Sequence, residues 1–171
     1  GLVTNLELCS LPAEQIYEIV TPCLQFLDVL IVNDFEICAI AGMDVNPSQP
    51  TDLNVCEAVA LEVLNSGKMQ LLAVHFPEGA FAITRQGNIF KKSSVAIPNE
   101  EIIGTNGAGD AFDAGALDAI VAGATTDAAL ERGLAAAVAG GVAQQALLRR
   151  RGRIGRPGEV IREARLAAAD E

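Results

Sequence analysis

The sequence predicts an α/β fold, a largely parallel sheet with helices on both faces in three layers. Three observations predict it. The continuous apolar runs Asp28–Val32 and Leu71–Phe76 have the composition of strands buried on both sides. Helical stretches separate these runs, so strands and helices alternate along the chain. Half of the residues are apolar, yet only 4 % are aromatic and none is Trp. The core must therefore be assembled from Ala, Val, Leu and Ile, which suit the space between helices and a parallel sheet.

Each element has its own signal. Leu2–Leu8 alternates apolar and polar residues like a strand. Pro12 opens a helical stretch over Ala13–Phe26, with Ile16, Ile19, Val20 and Leu24 on one side. The buried strand Asp28–Val32 stops at Asn33-Asp34-Phe35-Glu36, and a short helix reaches Gly42. A polar loop with Pro47 and Pro50 follows. Asp52–Asn65 reads as a helix ended by Ser66-Gly67. The strand Leu71–Phe76 breaks at Pro77-Glu78-Gly79. Ala80–Thr84 and Asn88–Lys91 flank Arg85-Gln86-Gly87 as a hairpin. Helices are expected near Ala108–Ala122, Asp127–Arg150 and Gly158–Ala169. In the first of these, Phe112, Ala116 and Ile120 share a face, while Asp113 and Asp118 read as solvated positions.

Charge and cysteine usage exclude several classes. The net charge is −10. Residues 1–148 hold five of the twelve Lys and Arg and eighteen of the 22 Asp and Glu. Such an acidic body argues against nucleic-acid binding, where basic residues supply most of the affinity. Residues 149–171 form a basic segment, Arg149–Arg156 included, and a solvated tail is its plainest reading. Cys9, Cys23, Cys38 and Cys56 form no CxxC pair, and His75 is the single His. This predicts buried thiols in a reduced, cytoplasmic protein rather than a zinc site. The longest weakly polar run, Leu134–Leu148, is too short to span a bilayer. The chain opens Gly1-Leu2-Val3-Thr4 without Met or a basic leader, as if cut from a longer protein.

Chemistry concentrates at strand ends, where open α/β sheets bind ligands. Three motifs fall there: Asn33–Glu36, Phe76–Gly79 and Gly104–Asp110. The last, Gly104-Thr105-Asn106-Gly107-Ala108-Gly109-Asp110, runs straight into a helix. Minimal side chains let the backbone approach a ligand, and the helix aims free N–H groups at it. A carboxylate at Asp110 has two roles open to it: a charge partner of the helix terminus, or a base beside an anion held there. Phe112 stands where a dinucleotide fingerprint needs its third glycine, and no Gly-Lys-Ser/Thr makes a P-loop. Asn33 serves equally as a helix cap or a ligand. With one His and no Ser or Cys elbow, a hydrolase triad has no support.

Gly104–Gly115, reading GTNGAGDAFDAG, resembles the second signature of the PfkB carbohydrate kinases, the ribokinase-like family. Asn33-Asp34-Phe35-Glu36 resembles that family's Asn-x-x-Glu motif. Phe76-Pro77-Glu78-Gly79-Ala80 stands where the family has a Gly-containing turn near the nucleotide phosphates. The agreement in order and spacing covers roughly Leu2 to Gly140. The resemblance implies a ribokinase-like fold and phosphoryl transfer from ATP to a sugar hydroxyl. It makes Asp110 the base, and the amides of Gly107, Ala108 and Gly109 the anion hole. Glu36 would organise Mg²⁺ through water, with Asn33, Pro77, Glu78, Gly79 and Thr105 at the ATP phosphates. A sugar and ATP are the implied partners, without nucleic acid or membrane, and a homodimer of the intact protein is compatible with it.

The chain also departs from the family pattern. Gly104 replaces the signature's first Asp, which helps bind a monovalent cation in members that need one. Leu134 falls where a polar residue near adenine is common, and the tail beyond Gly141 differs from the family's closing segment. The lid and most sugar-binding residues belong to an N-terminal half that would precede Gly1. Residues 1–148 are thus expected to be the C-terminal part of a kinase domain, with 149–171 as a divergent extension. A silent fragment or degenerate paralogue that binds nucleotide or a partner is the alternative, and a nucleoside or pyrimidine-alcohol kinase a further one.

Overall fold

Four strands and five helices account for most of the chain in the computed structural model, which describes residues 2–46, 52–95 and 107–153, with side chains up to residue 140. The order is α1 (Ala13–Val20), a 3₁₀ turn (Thr21–Phe26), β1 (Val29–Asn33), α2 (Asp34–Ile40), α3 (Leu53–Ser66), β2 (Leu71–Phe76), β3 (Gly79–Thr84), β4 (Ile89–Ser93), α4 (Ala108–Val121) and α5 (Thr126–Arg153). The strands form one sheet in the order β1-β2-β3-β4. β1 and β2 are parallel, with Asn33 opposite His75. The hairpin β2-β3 and its continuation β3-β4 are antiparallel. The sheet is therefore mixed, and its parallel pair is where the two continuous apolar runs meet.

Strand pleating divides the core in two. Leu30, Val32, Leu72, Val74, Phe81 and Ile83 point to one side and pack with Ile16, Val20, Ile37, Cys56 and Leu64 of α1–α3. Val29, Ile31, Leu71, Ala73, Ala80 and Ala82 point to the other, against Phe112 and Ala116 of α4 and Leu130 of α5. Buried on both faces, these strands need no polar alternation. Each fully buried Leu or Ile contributes about 1.5–3 kcal/mol relative to exposure. The expectation of buried thiols holds for Cys38 and Cys56, whose Sγ atoms lie 3.8 Å apart, and fails for Cys9, which is exposed, and Cys23, which is half-buried. Burial pushes the Cys56 thiol up to about 12, so it stays a thiol at neutral pH.

Two expectations fail locally. Leu2–Leu8 forms no strand; its bonds to the start of β1 run through Thr4, whose carbonyl accepts from the amides of Asp28 and Val29, whose amide donates to Asp28 Oδ2 and whose hydroxyl bonds to Phe26 and Asp28. A ladder needs bonds at every second residue, and the described bonds stop at Thr4. Instead Leu6 and Leu8 pack onto the α1–α3 core. The helix over Ala13–Phe26 also breaks at Thr21, where Pro22 stands in the first turn of the 3₁₀ segment. Ile16, Val20 and Leu24 remain buried, but Ile19 is 52 % exposed. The loop with Pro47 and Pro50, residues 96–106 and the helix expected at Gly158–Ala169 lie outside the described residues. α5 runs through position 148 to Arg153.

Candidate active site

The carboxyl end of β1 leads into the N-terminus of α2, and His75 near the carboxyl end of β2 lies beside the N-terminus of α4; the two helix termini differ in one respect. At α2, Asn33 caps the helix: its Oδ1 accepts from the Glu36 amide at 2.8 Å, and Glu36 Oε2 accepts from the Asn33 amide at 2.9 Å. This reciprocal box stabilises the turn by about 1 kcal/mol and closes it. It leaves the Asn33 side-chain amide group and the second Glu36 oxygen for other partners. Desolvation raises the Glu36 carboxyl above its ordinary value, and the hydrogen bonds from Asn33 oppose it.

At α4 the terminus is open. Gly107 caps it in the left-handed region, φ 80°, with no side-chain cap. Its carbonyl accepts from Ala111 N at 3.0 Å, so the amides of Ala108, Gly109 and Asp110 have no partner within the helix. Asp110 stands exposed in that first turn, favoured by the helix dipole. Gly109 lies against His75: a Cβ there would come within 3.3 Å of His75 Cε1. His75 is a strand-end residue, as expected, and its ring meets Phe112 at 5.0 Å between centroids. Desolvation lowers its pKa, which keeps the imidazole neutral at pH 7. Further along α4, a Cβ at Gly115 would sit 2.7 Å from the Arg132 carbonyl of α5. The signature's small residues thus serve a left-handed cap, contact with His75 and close helix packing.

The third motif is the β2-β3 turn. Pro77 and Glu78 are exposed, and the Glu78 carbonyl accepts from Ser94 N at 2.8 Å. Gly79 is buried, and a Cβ there would meet Lys92 O at 2.2 Å. Its smallness serves the pairing of β3 with β4. Because Asn33 faces His75 in register, and His75 meets both Gly109 and Phe112, the three motifs gather at one edge of the sheet. Thr105 and Gly104 lie outside the described residues.

Asp113 overturns its expectation. It is 6 % exposed, not solvated, and its Oδ1 has no hydrogen-bond partner among the described residues. Burial, and then the charges of Glu7, Glu36 and Asp110, push its carboxyl up to about 7. Its spacing gave no such signal: Asp113 follows the exposed Asp110 by one turn, and only the fold covers the helix with both the sheet and α5. Asp118 behaves as expected, exposed and paired with Arg132 at 2.8 Å. The charges of Glu7, Glu36 and Asp110 thus reach Asp113, although no group of three or more His, Cys, Asp or Glu among the described residues could itself hold a metal ion. No helix among the described residues is long and apolar enough to cross a membrane.

Both the sequence and the fold are similar to those of known proteins. The chain is 33 % identical over 122 residues to an adenosine kinase of Schizophyllum commune, covering 64 % of this chain and 33 % of that protein. Among solved structures it is similar to phosphofructokinase-2 of Escherichia coli, with TM-score 0.60, 22 % identity, and coverage of 73 % of this chain and 39 % of that one. It is also similar to adenosine kinase of Schistosoma mansoni, with TM-score 0.62, 18 % identity and coverage of 76 % and 39 %. A probable sugar kinase of Rhizobium etli gives TM-score 0.59 at 18 % identity, covering 73 % of this chain and 34 % of that one. The chain thus spans about a third of the length of these relatives. The profile of the pfkB family carbohydrate kinases matches residues 4–145, and the chain belongs to that family of phosphotransferases.

Proposed function

We propose that this chain carries the nucleotide side and the base of an ATP-dependent kinase that phosphorylates a sugar hydroxyl. The observation that carries the reading is the open first turn of α4: amides with no partner within the helix, a left-handed glycine cap and the exposed Asp110 beside them. An anion accepting from those amides lies where the dipole also favours it. Asp110 takes the proton of the acceptor alcohol as its oxygen forms a bond to the γ-phosphorus. The bond from that phosphorus to the β-phosphate oxygen breaks, and ADP leaves. The amides of Gly107, Ala108 and Gly109 hold the oxygens of the transferred group. Asn33, Thr105 and the Pro77–Gly79 turn border the remaining phosphates.

The donor set fits Mg²⁺ held mainly by phosphates and water. The Glu36 and Asp110 charges act on the same buried carboxyl, yet no group of three or more His, Cys, Asp or Glu among the described residues forms a protein cage. Bound there, Mg²⁺ would neutralise phosphate charge, with Glu36 as the carboxylate at its side. A nucleoside acceptor is the second reading, favoured by the 33 % identity to an adenosine kinase. ADP release by the full-length protein, measured with separate panels of sugars and nucleosides, tests the proposal. Turnover with a sugar is expected. Turnover with nucleosides alone replaces the acceptor, and none with either panel leaves a silent paralogue.

A further inference from the structure

The His75 side chain links the C-terminal end of β2 to the first turn of α4. Leu71, Ala73 and His75 alternate on the sheet face that carries α4, so pleating directs His75 toward that helix. The atoms nearest a Cβ built on Gly109 are the distal ring atoms of His75, Cε1 at 3.3 Å and Nε2 at 3.5 Å. Helical Cα–Cβ bonds tilt toward the N-terminus, which places the ring edge on the side of Gly109 where the free amides point. One turn later, Phe112 meets the same ring at 5.0 Å. Gly109 and Phe112, at i and i+3, thus rest on one imidazole. On its other side His75 pairs in register with Asn33, the cap of α2.

We propose that His75 is a positioning residue for phosphoryl transfer, a spacer whose reach sets the height of the first turn of α4 above the sheet. The inference rests on reading that turn as the anion hole. The absence of a side chain on Gly109 leaves room for the ring, since a Cβ there would come within 3.3 Å of Cε1. Any change in ring length moves the Ala108 and Gly109 amides together with Asp110. The neutral state suits this role, because burial disfavours a charged ring and Asp34 is the charge that opposes the effect. A displacement of about 1 Å at a reacting centre can cost 10²-fold in rate.

The test uses His75→Ala and His75→Gln in the full-length kinase, with Asp110→Asn as a separate control. Gln reproduces the reach of Nε2 without the ring. His75→Ala is expected to lower kcat by about tenfold or more while KM for MgATP changes less than about threefold. The spacing between the Gly109 amide and the β2 backbone, read from nuclear Overhauser effects, should change in His75→Ala, and His75→Gln should restore both kcat and that spacing. Equal damage in Ala and Gln variants would overturn the proposal. So would a His75→Ala protein with unchanged kcat and unchanged spacing. The spacing does not depend on turnover, whereas full activity in the Asp110→Asn control would reject the reading of the turn itself.

Discussion

Replacing Asp113 with Asn removes a buried charge while keeping the shape of the side chain. The carboxyl rises from 3.8 to about 7 in the folded chain. At about 1.4 kcal/mol per unit, roughly three units set a ceiling near 4 kcal/mol on the penalty. Solvent reaching the rim, where Asp110 is exposed, reduces it to about 1–2 kcal/mol. The sign follows from proton counting. Between about pH 4 and 7 the folded state binds more protons at Asp113 than the unfolded state, so stability falls as pH rises. The penalty is absent below that window and complete above it. Glu36, also raised, slopes the same way. His75, lowered, slopes the opposite way, adding stability as pH rises toward 6.5. The difference between wild type and variant isolates Asp113. Urea unfolding should show Asp113→Asn more stable by about 1–2 kcal/mol at pH 8 and nearly equal at pH 4. Equal pH slopes in the two proteins would refute the reasoning.

Three further outcomes follow from other contacts. Asn33→Ala breaks the capping box and should cost about 1 kcal/mol in urea unfolding. Gly115→Ala would drive a methyl toward the Arg132 carbonyl and Ala136 of α5; it should cost about 1–3 kcal/mol and lower the thermal midpoint. The 171-residue chain on its own should self-associate and turn over no sugar, because β1 carries the apolar side chains of a central strand yet stands at the edge of the described sheet. Sedimentation velocity with an ADP-release assay checks both parts, and a monomer of ordinary activity would contradict them.

The framework was legible because its signals are local. Val29–Val32 and Leu71–Val74 are apolar at every position, which only strands covered on both faces tolerate. Asp52 and Gly67 bracket α3 as cap and stop. Two of the misreadings depended on a partner distant in sequence, and one on a proline three residues on. Leu2–Leu8 has strand-like alternation, but no pattern within seven residues reports that bonding to β1 stops at Thr4. Ile19 fits the helical stripe until Pro22 changes the turn that follows. Asp113 looked solvated because its spacing separates it from Phe112, yet on a helix wedged between sheet and α5 few faces stay wet. At the site, the grouping of the three motifs at one edge was readable from strand ends. The reasons for the glycines were not: Gly79 answers to Lys92 and Gly109 to His75, contacts that only the fold creates.

The central claim is that Asp110, at the open terminus of α4, acts as the base for phosphoryl transfer. The most direct test compares Asp110→Asn with wild type in the full-length kinase, measuring turnover with the best acceptor and nucleotide affinity by calorimetry. Loss of a general base alone should lower kcat by about 10²–10⁴-fold while nucleotide affinity stays within about threefold. Turnover within about tenfold of wild type would contradict the account.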